Sequence, residues 1–414
     1  MSTLGINGLG RIGKLTVWHH VQRKHFDKLV VNLGREVGTG LEAVCGAIER
    51  DSTYGSMHRF LFGVSAEPCI KIVDREKRLL EIAGVPVVIL QSARNPKDIA
   101  WRENQARVVV DTTGQFGDPT APMDSQKGSL RGHLSAGAEK VLHSSAFKIK
   151  DKSLSMPEDA ATLIFGINHE LFNPSKHHVI SAASCTTTAL AHMVKPLIEH
   201  LHASNIMTAS MSTVHAATNT QSVLDSVPKA GVTDLRKSRA VLNNIILTST
   251  NAAKALEQVI PQVQQIGFMA DSVRIPTPTE SLVILNVTFQ ARIGKDGNAT
   301  ITREAINKIY SDAAEGPQKG VLVYSEEQNV ACDISGMRAA VVIEACENHT
   351  RTGFVNLDLA QVPGVDPAVL ASLSSTVVEV PVTHAKLFGW YDNEYGSYTN
   401  MLGDLTVHVH RGLD

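Results

Sequence analysis

The 414-residue sequence predicts an α/β fold in two parts, a doubly wound parallel sheet followed by an α+β domain with a mixed or antiparallel sheet. Three observations predict it. The first half alternates short apolar runs with longer amphipathic stretches, the rhythm of strand–helix units feeding a parallel sheet. A glycine-rich Gly8-Leu9-Gly10-Arg11-Ile12-Gly13 stands directly after the first apolar run. The second half instead carries long alternating runs at 281–289 and 339–345, as half-buried antiparallel strands require.

Taken in order, residues 3–7 read as the first strand. Ile12, Leu15, Trp18 and Val21 then recur at three-residue intervals with no Gly or Pro from 14 to 33, so a helix follows. Further strands are expected at 29–33, 85–91, 108–112 and 179–182. Turn formers mark loops at 117–128 and 362–368. The second domain is expected to start near Cys185, where an Ala/Leu-rich segment, 189–201, reads as a helix kinked at Pro196. An apolar-alternating strand at 206–214 comes next. Near 354–359 and 367–373 a short strand and a helix flank a Pro/Gly turn.

Composition narrows the function. Apolar residues make up 43% and there are 30 Gly, the proportions of a soluble globular enzyme. With 39 Lys+Arg against 41 Asp+Glu the formal charge is −2, so no global basic field gathers nucleic acid or anionic membrane, and any anionic ligand must be held locally. The cysteines, Cys45, Cys69, Cys185, Cys332 and Cys346, are odd in number and scattered, unlike a disulfide framework or a zinc site. No apolar run approaches the roughly 18 residues of a membrane span. A cytoplasmic protein without a metal is expected.

Two motifs carry chemistry. A G-x-G-x-x-G between a strand and a helix lets backbone amides approach a pyrophosphate at the positive end of the helix dipole, so a dinucleotide is the expected ligand. The second strand should end in the acid that takes the adenosine ribose, and the text there is Asn32-Leu33-Gly34-Arg35-Glu36. Glu36 favours NAD; Arg35 favours the 2′-phosphate of NADP. Both stay open. The other motif is Ser184-Cys185-Thr186-Thr187-Thr188: a cysteine in the first turn of a helix is expected to have a lowered pKa and to act as a nucleophile. The other four cysteines are expected to be small and buried. A thiol nucleophile needs a base, and His215 closes the 206–214 run, but spacing alone does not choose it over the other sixteen histidines. His19-His20, His177-His178 and His408/His410 are expected to be solvated pairs.

The sequence resembles the phosphorylating glyceraldehyde-3-phosphate dehydrogenases. The resemblance lies in 6–13, in Arg50-Asp51-Ser52-Thr53-Tyr54-Gly55, in Thr112-Thr113-Gly114, in Ala183-Ser184-Cys185-Thr186-Thr187 and in Thr213-Val214-His215-Ala216. It continues through 248–255, Arg274-Ile275-Pro276-Thr277-Pro278 and Trp390-Tyr391-Asp392-Asn393-Glu394-Tyr395-Gly396, in the family's order over nearly the whole chain. The resemblance implies a Rossmann-type cofactor domain, 1–184 with 393–414, and a catalytic domain, 185–392, with an insertion near 346–383. It implies Cys185 as catalytic thiol and His215 as its base. Gly8, Gly10, Arg11, Ile12, Gly13, Arg35 or Glu36, Thr113, Phe116 and Asn393 would contact the cofactor. Thr218, Thr220 and Arg274 would hold the substrate's phosphate, and Ser184, Thr186, Thr250 and Arg236 inorganic phosphate. The implied reaction converts glyceraldehyde 3-phosphate to 1,3-bisphosphoglycerate with NAD(P). The implied assembly is a homotetramer, in which 217–244 approaches a neighbour's cofactor. Erythrose-4-phosphate dehydrogenase, which hydrolyses its thioester, and a non-catalytic scaffold are the alternatives.

The chain departs from the family pattern at Thr188, at Asn251, where the family has glycine, and at Gly396-Ser397-Tyr398. A side chain at 251 is expected to hinder phosphate approaching the backbone. The insertion reads as extra surface or a subunit contact, with a regulatory docking surface as the alternative.

Overall fold

The computed structural model describes residues 2–228, 230–295 and 297–413. β1 (Thr3–Asn7) leads through α1 (Arg11–Arg23) to β2 (Lys28–Asn32). After α2 (Leu41–Glu49) come a short ribbon of β3 (Arg50–Asp51) and β4 (Gly55–Ser56), and then α3 (Met57–Phe62). The chain continues through β5 (Ile70–Asp74), β6 (Leu79–Ile82), β7 (Val85–Leu90) and β8 (Val108–Asp111). Next are α4 (Leu130–Ser135), β9 (Lys140–His143), β10 (Ala160–Thr162) and β11 (Val179–Ser181). These strands form one sheet in the order β10-β11-β9-β8-β1-β2-β7-β6-β5. It is parallel from β10 to β7, and β6 and β5 add an antiparallel edge. β1 and β8 are buried along their whole length, as parallel strands covered on both faces must be. Chain order reverses at β1, with β2 on one side and β8 on the other, which opens a crevice beyond their carboxyl ends.

A buried polar seam crosses those carboxyl ends. Asn32 donates to Asn7 Oδ1 at 2.8 Å, Asn7 donates to Asp111 Oδ2 at 2.8 Å, and His133 Nε2 meets the same oxygen at 3.0 Å. Trp101 donates to His133 Nδ1 at 2.9 Å, which places the imidazole proton on Nε2, facing Asp111. Burial opposes the Asp111 charge, but the donors around it, His133 first, hold its carboxyl below the usual range. The other Asp111 oxygen receives the Thr113 hydroxyl at 2.7 Å and so shapes the loop that follows β8.

The second half starts with α5 (Cys185–Leu201), β12 (Ile206–Ala216) and β13 (Ile246–Thr248), then α6 (Ala252–Val259), β14 (Gly267–Ile275) and β15 (Ser281–Gln290). It continues with α7 (Arg303–Glu315), β16 (Leu322–Ser325), β17 (Val341–Glu344), β18 (His349–Asp358), α8 (Pro367–Ser372) and β19 (Val377–Tyr391). The sheet is mixed, ordered β13-β14-β12-β15-β19-β17-β16, with β18 alongside β19. Every second residue of β15 is buried, so one face packs on the core that contains α5. A π-helical turn, Tyr395–Asn400, then leads into α9 (Met401–Arg411), whose Leu402, Leu405 and Val409 join the core of the first sheet.

Several expectations are corrected. β5, β6, β9 and β10 were not anticipated. The first two flank a charged turn that hides their alternation, and β9 begins with a buried Lys140 whose Nζ reaches the His177 carbonyl at 2.9 Å. The helix expected over 189–201 starts at Cys185 and is one helix, with Pro196 inside it. The run at 339–345 is a short, wholly buried strand rather than a half-buried one. His19 and His20 are buried, because α1 is covered by the returning C-terminal segment: His19 Nε2 meets the Tyr395 carbonyl at 2.9 Å and its ring stacks on Tyr395. His410 is buried too, and Cys332 is exposed. The 346–383 segment builds β18, α8 and the outer half of β19. β18 pairs along β19 from His349↔Lys386 to Asp358↔Val377, so it starts earlier than the strand expected at 354–359.

Asp111→Ala strands the Asn7 and His133 donors in the seam, at about 1–3 kcal/mol each. The apparent thermal midpoint should fall by several degrees, whereas Asp151→Ala, at an exposed site, should leave it unchanged; differential scanning calorimetry checks both.

Candidate active site

The chain turns out of β11 at Ala183, whose φ of +54° is left-handed and costs on the order of 1 kcal/mol for a residue with a Cβ. The turn is clamped: the Ala183 N–H donates to Ser181 Oγ at 3.1 Å and the Tyr398 hydroxyl donates to its carbonyl at 3.2 Å. Ser184 is the N-cap of α5, accepting from the Thr187 N–H at 3.2 Å. Cys185 is therefore the first residue of the helix, half-buried, with its carbonyl held by Ser397 Oγ at 3.2 Å.

His215 comes from the end of β12. Its Nε2 lies 3.7 Å from Cys185 Sγ. The two meet because Tyr391, at the end of β19, accepts and donates between them: its buried hydroxyl bonds Thr186 Oγ1 on α5 at 2.9 Å and Thr213 Oγ1 on β12 at 2.8 Å. His215 Nδ1 lies 2.8 Å from the Ala216 carbonyl, which can only accept, so the tautomer that makes this bond carries its proton on Nδ1 and turns the Nε2 lone pair to the thiol. Asn393 completes the group. Its Oδ1 accepts from Ser281 at 2.8 Å, and its Nδ2 stands 3.2 Å from His215 Nε2 and 3.9 Å from Cys185 Sγ.

Arg274 lies opposite His215 on the parallel neighbour β14, and its Nη1 touches His215 Nδ1 and the Ala216 carbonyl. Burial, reinforced by this guanidinium, pushes the His215 imidazole down to about 3, so it is a neutral proton acceptor across the physiological range. The expected lowering of the thiol pKa is corrected. Burial pushes the Cys185 thiol up, opposed first by Arg274 and then by Thr186 and Asn393. The helix N-terminus does not outweigh desolvation here. The ground state is a neutral thiol beside a neutral base, and the proton must move when the sulfur attacks.

The other expected phosphate ligands are only partly gathered. Thr218 and Thr220 bond each other at 2.9 Å just beyond β12, on the same sheet edge as Arg274. Thr250 Oγ1 accepts from the Ala252 N–H at 3.2 Å at the start of α6. Among the described residues Arg236 bonds only Asp234, at 2.8 Å, on an exposed turn, and so stands apart from the cluster. Asn251 has φ −99°, which any residue adopts, so replacing glycine there strains nothing.

The crevice fits a dinucleotide. Gly8 has φ +101°, and a Cβ on Gly13 would fall 2.2 Å from the Gly8 carbonyl oxygen, so only glycine lets the loop close against α1. A Cβ on Gly10 would meet nothing, so the loop is open on the side a phosphate would approach. Gly10 caps α1 without a side chain, leaving the amides of Arg11 and Ile12 without intrahelical partners. The Arg11 side chain is committed elsewhere: it pairs with Glu394 at 2.6 Å and donates to the Pro278 carbonyl at 3.2 Å, so only its backbone serves the crevice. Thr113 is fixed by Asp111, and Phe116 packs on Gly128. Arg35 and Glu36 are both exposed.

Comparison with known proteins agrees with this geometry. Residues 2–119 match the model for the glyceraldehyde 3-phosphate dehydrogenase NAD binding domain, and 184–363 match that for its C-terminal domain. A glyceraldehyde-3-phosphate dehydrogenase of Streptomyces coelicolor is 34% identical over 408 residues, 98% of each chain. One from Geobacillus stearothermophilus is 32% identical over 407 residues, 98% of this chain and 97% of its own. The chain belongs to the glyceraldehyde 3-phosphate dehydrogenase family. It is thus an oxidoreductase with a Rossmann-type domain for a nicotinamide cofactor. Among the described residues no helix is long and apolar enough to cross a membrane.

Sequence reasoning gave no role to Tyr391, Ser281 or Ser397. Tyr391 lay inside a recognisable block, but its work is to join α5 to β12, and no local spacing encodes that. Ser281 looked like one polar position of an alternating strand, although its hydroxyl both accepts from the Ala216 N–H at 2.9 Å and orients Asn393.

In the cofactor-free protein, alkylation of Cys185 by iodoacetamide should accelerate through the alkaline range with no plateau near neutrality. Arg274→Ala should move the midpoint higher still, because it removes the nearest positive charge; peptide-level mass spectrometry of the alkylated fraction against pH checks this.

Proposed function

We propose that this protein oxidises D-glyceraldehyde 3-phosphate to 1,3-bisphosphoglycerate, with NAD(P) and inorganic phosphate, through a thioester on Cys185. The observation that carries the reading is the 3.7 Å approach of Cys185 Sγ to His215 Nε2, with Arg274 beside them. Sγ attacks the aldehyde carbon while its proton passes to Nε2 and on to the adduct oxygen, which leaves the imidazole neutral again. The adduct oxygen then has to lose a proton as hydride leaves the carbon, and the same imidazole is the base within reach. The amides of Arg11 and Ile12 would hold the pyrophosphate of the cofactor, Thr113, Phe116 and Asn393 would contact the rest of it, and its nicotinamide would supply the hydride acceptor. Inorganic phosphate attacks the resulting thioester carbonyl and Cys185 leaves as thiolate, to be reprotonated.

Arg274, Thr218 and Thr220 hold the phosphate of the aldehyde, a local cation with hydroxyl donors in a chain of nearly zero net charge. Ser184, Thr186 and Thr250 receive the attacking phosphate, and Arg236 joins them only by giving up Asp234. Residues 1–184 with 393–414 form the cofactor domain and 185–392 the catalytic domain, a division the two separate cores support.

The segment after β12 supports a homotetramer. Val223, Leu224, Val227 and Ile245 are 64%, 72%, 91% and 75% exposed in the single chain, apolar surface that a neighbouring subunit would cover. Light scattering should return about four times the 44.6 kDa chain mass.

The activity test is NAD(P)H formation from the aldehyde with and without phosphate. Cys185→Ser should lower the rate by at least about 10³-fold, and phosphate should be consumed one for one with reduced cofactor. A rate that ignored phosphate, with erythrose 4-phosphate the better substrate, would contradict this reading.

A further inference from the structure

The adenosine end of the crevice lacks a fixed carboxylate and offers cations instead. β2 leaves the sheet at Asn32, whose side chain turns inward: Nδ2 donates to Asn7 Oδ1 at 2.8 Å and to the Ala93 carbonyl at 3.0 Å, and Oδ1 accepts from the Gly34 N–H at 3.3 Å. The strand tip, where a ribose diol is normally gripped by an acid, therefore has no acceptor facing outward. Gly34 then turns the chain with φ +65°, and a Cβ there would lie 3.2 Å from Arg94 Cγ, so the Arg94 side chain runs alongside this turn.

Two arginines adjoin it, Arg94 by contact and Arg35 in sequence. Arg94 spends only Nε, on the Gly34 carbonyl at 3.2 Å, and its two terminal nitrogens have no partner among the described residues. Arg35, next in the chain, is exposed and likewise has no partner among the described residues. Beside them is a hollow of about 380 Å³ lined by Glu36, Glu42, Arg75, Arg78 and others. Arg75 is neutralised by Glu42 at 2.5 Å, while Arg78 donates to the neutral Gln91 at 2.5 Å and keeps its charge. Glu36 is the one carboxylate left to compete, and it is exposed on a turn rather than seated at the strand tip.

We propose that this crevice prefers a dinucleotide carrying a 2′-phosphate on its adenosine ribose, held by Arg35 and Arg94. The inference rests on the reading of the crevice as a dinucleotide site. A guanidinium fork matches a dianionic phosphate in charge and in donor geometry, and two forks beside one backbone turn need no further basic surface. A bare ribose diol would leave both unpaired and would meet no seated acid.

The test is calorimetric titration of the protein with NAD+ and NADP+ separately, at one fixed salt concentration. NADP+ should bind at least about tenfold tighter, the loss of one charge-assisted contact being of that order. Arg35→Ala and Arg94→Ala should each weaken NADP+ about tenfold more than NAD+, and Glu36→Gln should favour NADP+ further. Both arginines are exposed, so the variants should keep the parent thermal midpoint. Equal or tighter binding of NAD+, or equal losses for both cofactors in the arginine variants, would overturn the 2′-phosphate site while leaving a dinucleotide crevice. Binding of neither cofactor by the parent protein would overturn the dinucleotide reading and this inference with it.

Discussion

The active site depends on one buried phenol. Tyr391 ends the long β19 and is fully buried, and its hydroxyl is shared between Thr186 on the first turn of α5 and Thr213 on β12. Those elements belong to different layers, and without a common partner nothing local would hold a helix N-terminus against the end of a strand. The segment after it continues the work. Asp392 accepts from the Tyr54 hydroxyl at 2.5 Å and from the Gly336 N–H at 2.8 Å, joining the first sheet's core to the second half of the chain. Asn393 reaches the thiol and imidazole, and Glu394 takes Arg11 from the glycine loop. Four consecutive residues thus tie the cofactor loop, the nucleophile and the base into one rigid arrangement, which is what effective catalysis by positioning requires.

The electrostatics follow from burial. A chain with nearly balanced charge has no long-range field to spend on ionising a cysteine, so the state of Cys185 is set within a few ångströms. Desolvation keeps both sulfur and imidazole neutral, and Arg274 is the local cation that favours the thiolate when the proton moves. A neutral pair also limits adventitious oxidation, since thiolate rather than thiol is the reactive form. Arg274 has a second consequence. Its contact with His215 Nδ1 competes with the Ala216 carbonyl for that side of the ring, so an anion that draws the guanidinium away leaves the imidazole in the tautomer that can accept a proton from sulfur.

The 346–383 segment extends the second sheet without disturbing this core. β18 and α8 are largely exposed, and they prolong β19 outward from the residues that pair with β15, leaving the inner end of β19 in register up to Ser281↔Tyr391. Phe354, Val355 and Leu357 stay on the surface of the single chain. The swapped Gly396-Ser397-Tyr398 is accommodated in the same spirit. A Cβ on Gly396 would fall 1.9 Å from the Met337 carbonyl oxygen, so the glycine is obligatory, while Ser397 and Tyr398 each find a backbone carbonyl beside Cys185.

Local pattern alone determined the alternating strand at 281–289, the first helix, the glycine loop and the likeness of the motif blocks, because these rest on side-chain periodicity and on backbone freedom at single residues. It also pointed to Cys185, though not to its protonation, whereas His215 was singled out only by the family resemblance. Tertiary structure decided the rest: that His19 and His20 are covered, that Arg11 points away from the crevice, and that the thiol is raised rather than lowered. Each of these depends on which distant segment removes water from a group or supplies its partner. Desolvation and long-range hydrogen bonding are properties of the packed chain, and a periodicity of two or 3.6 residues carries no record of them.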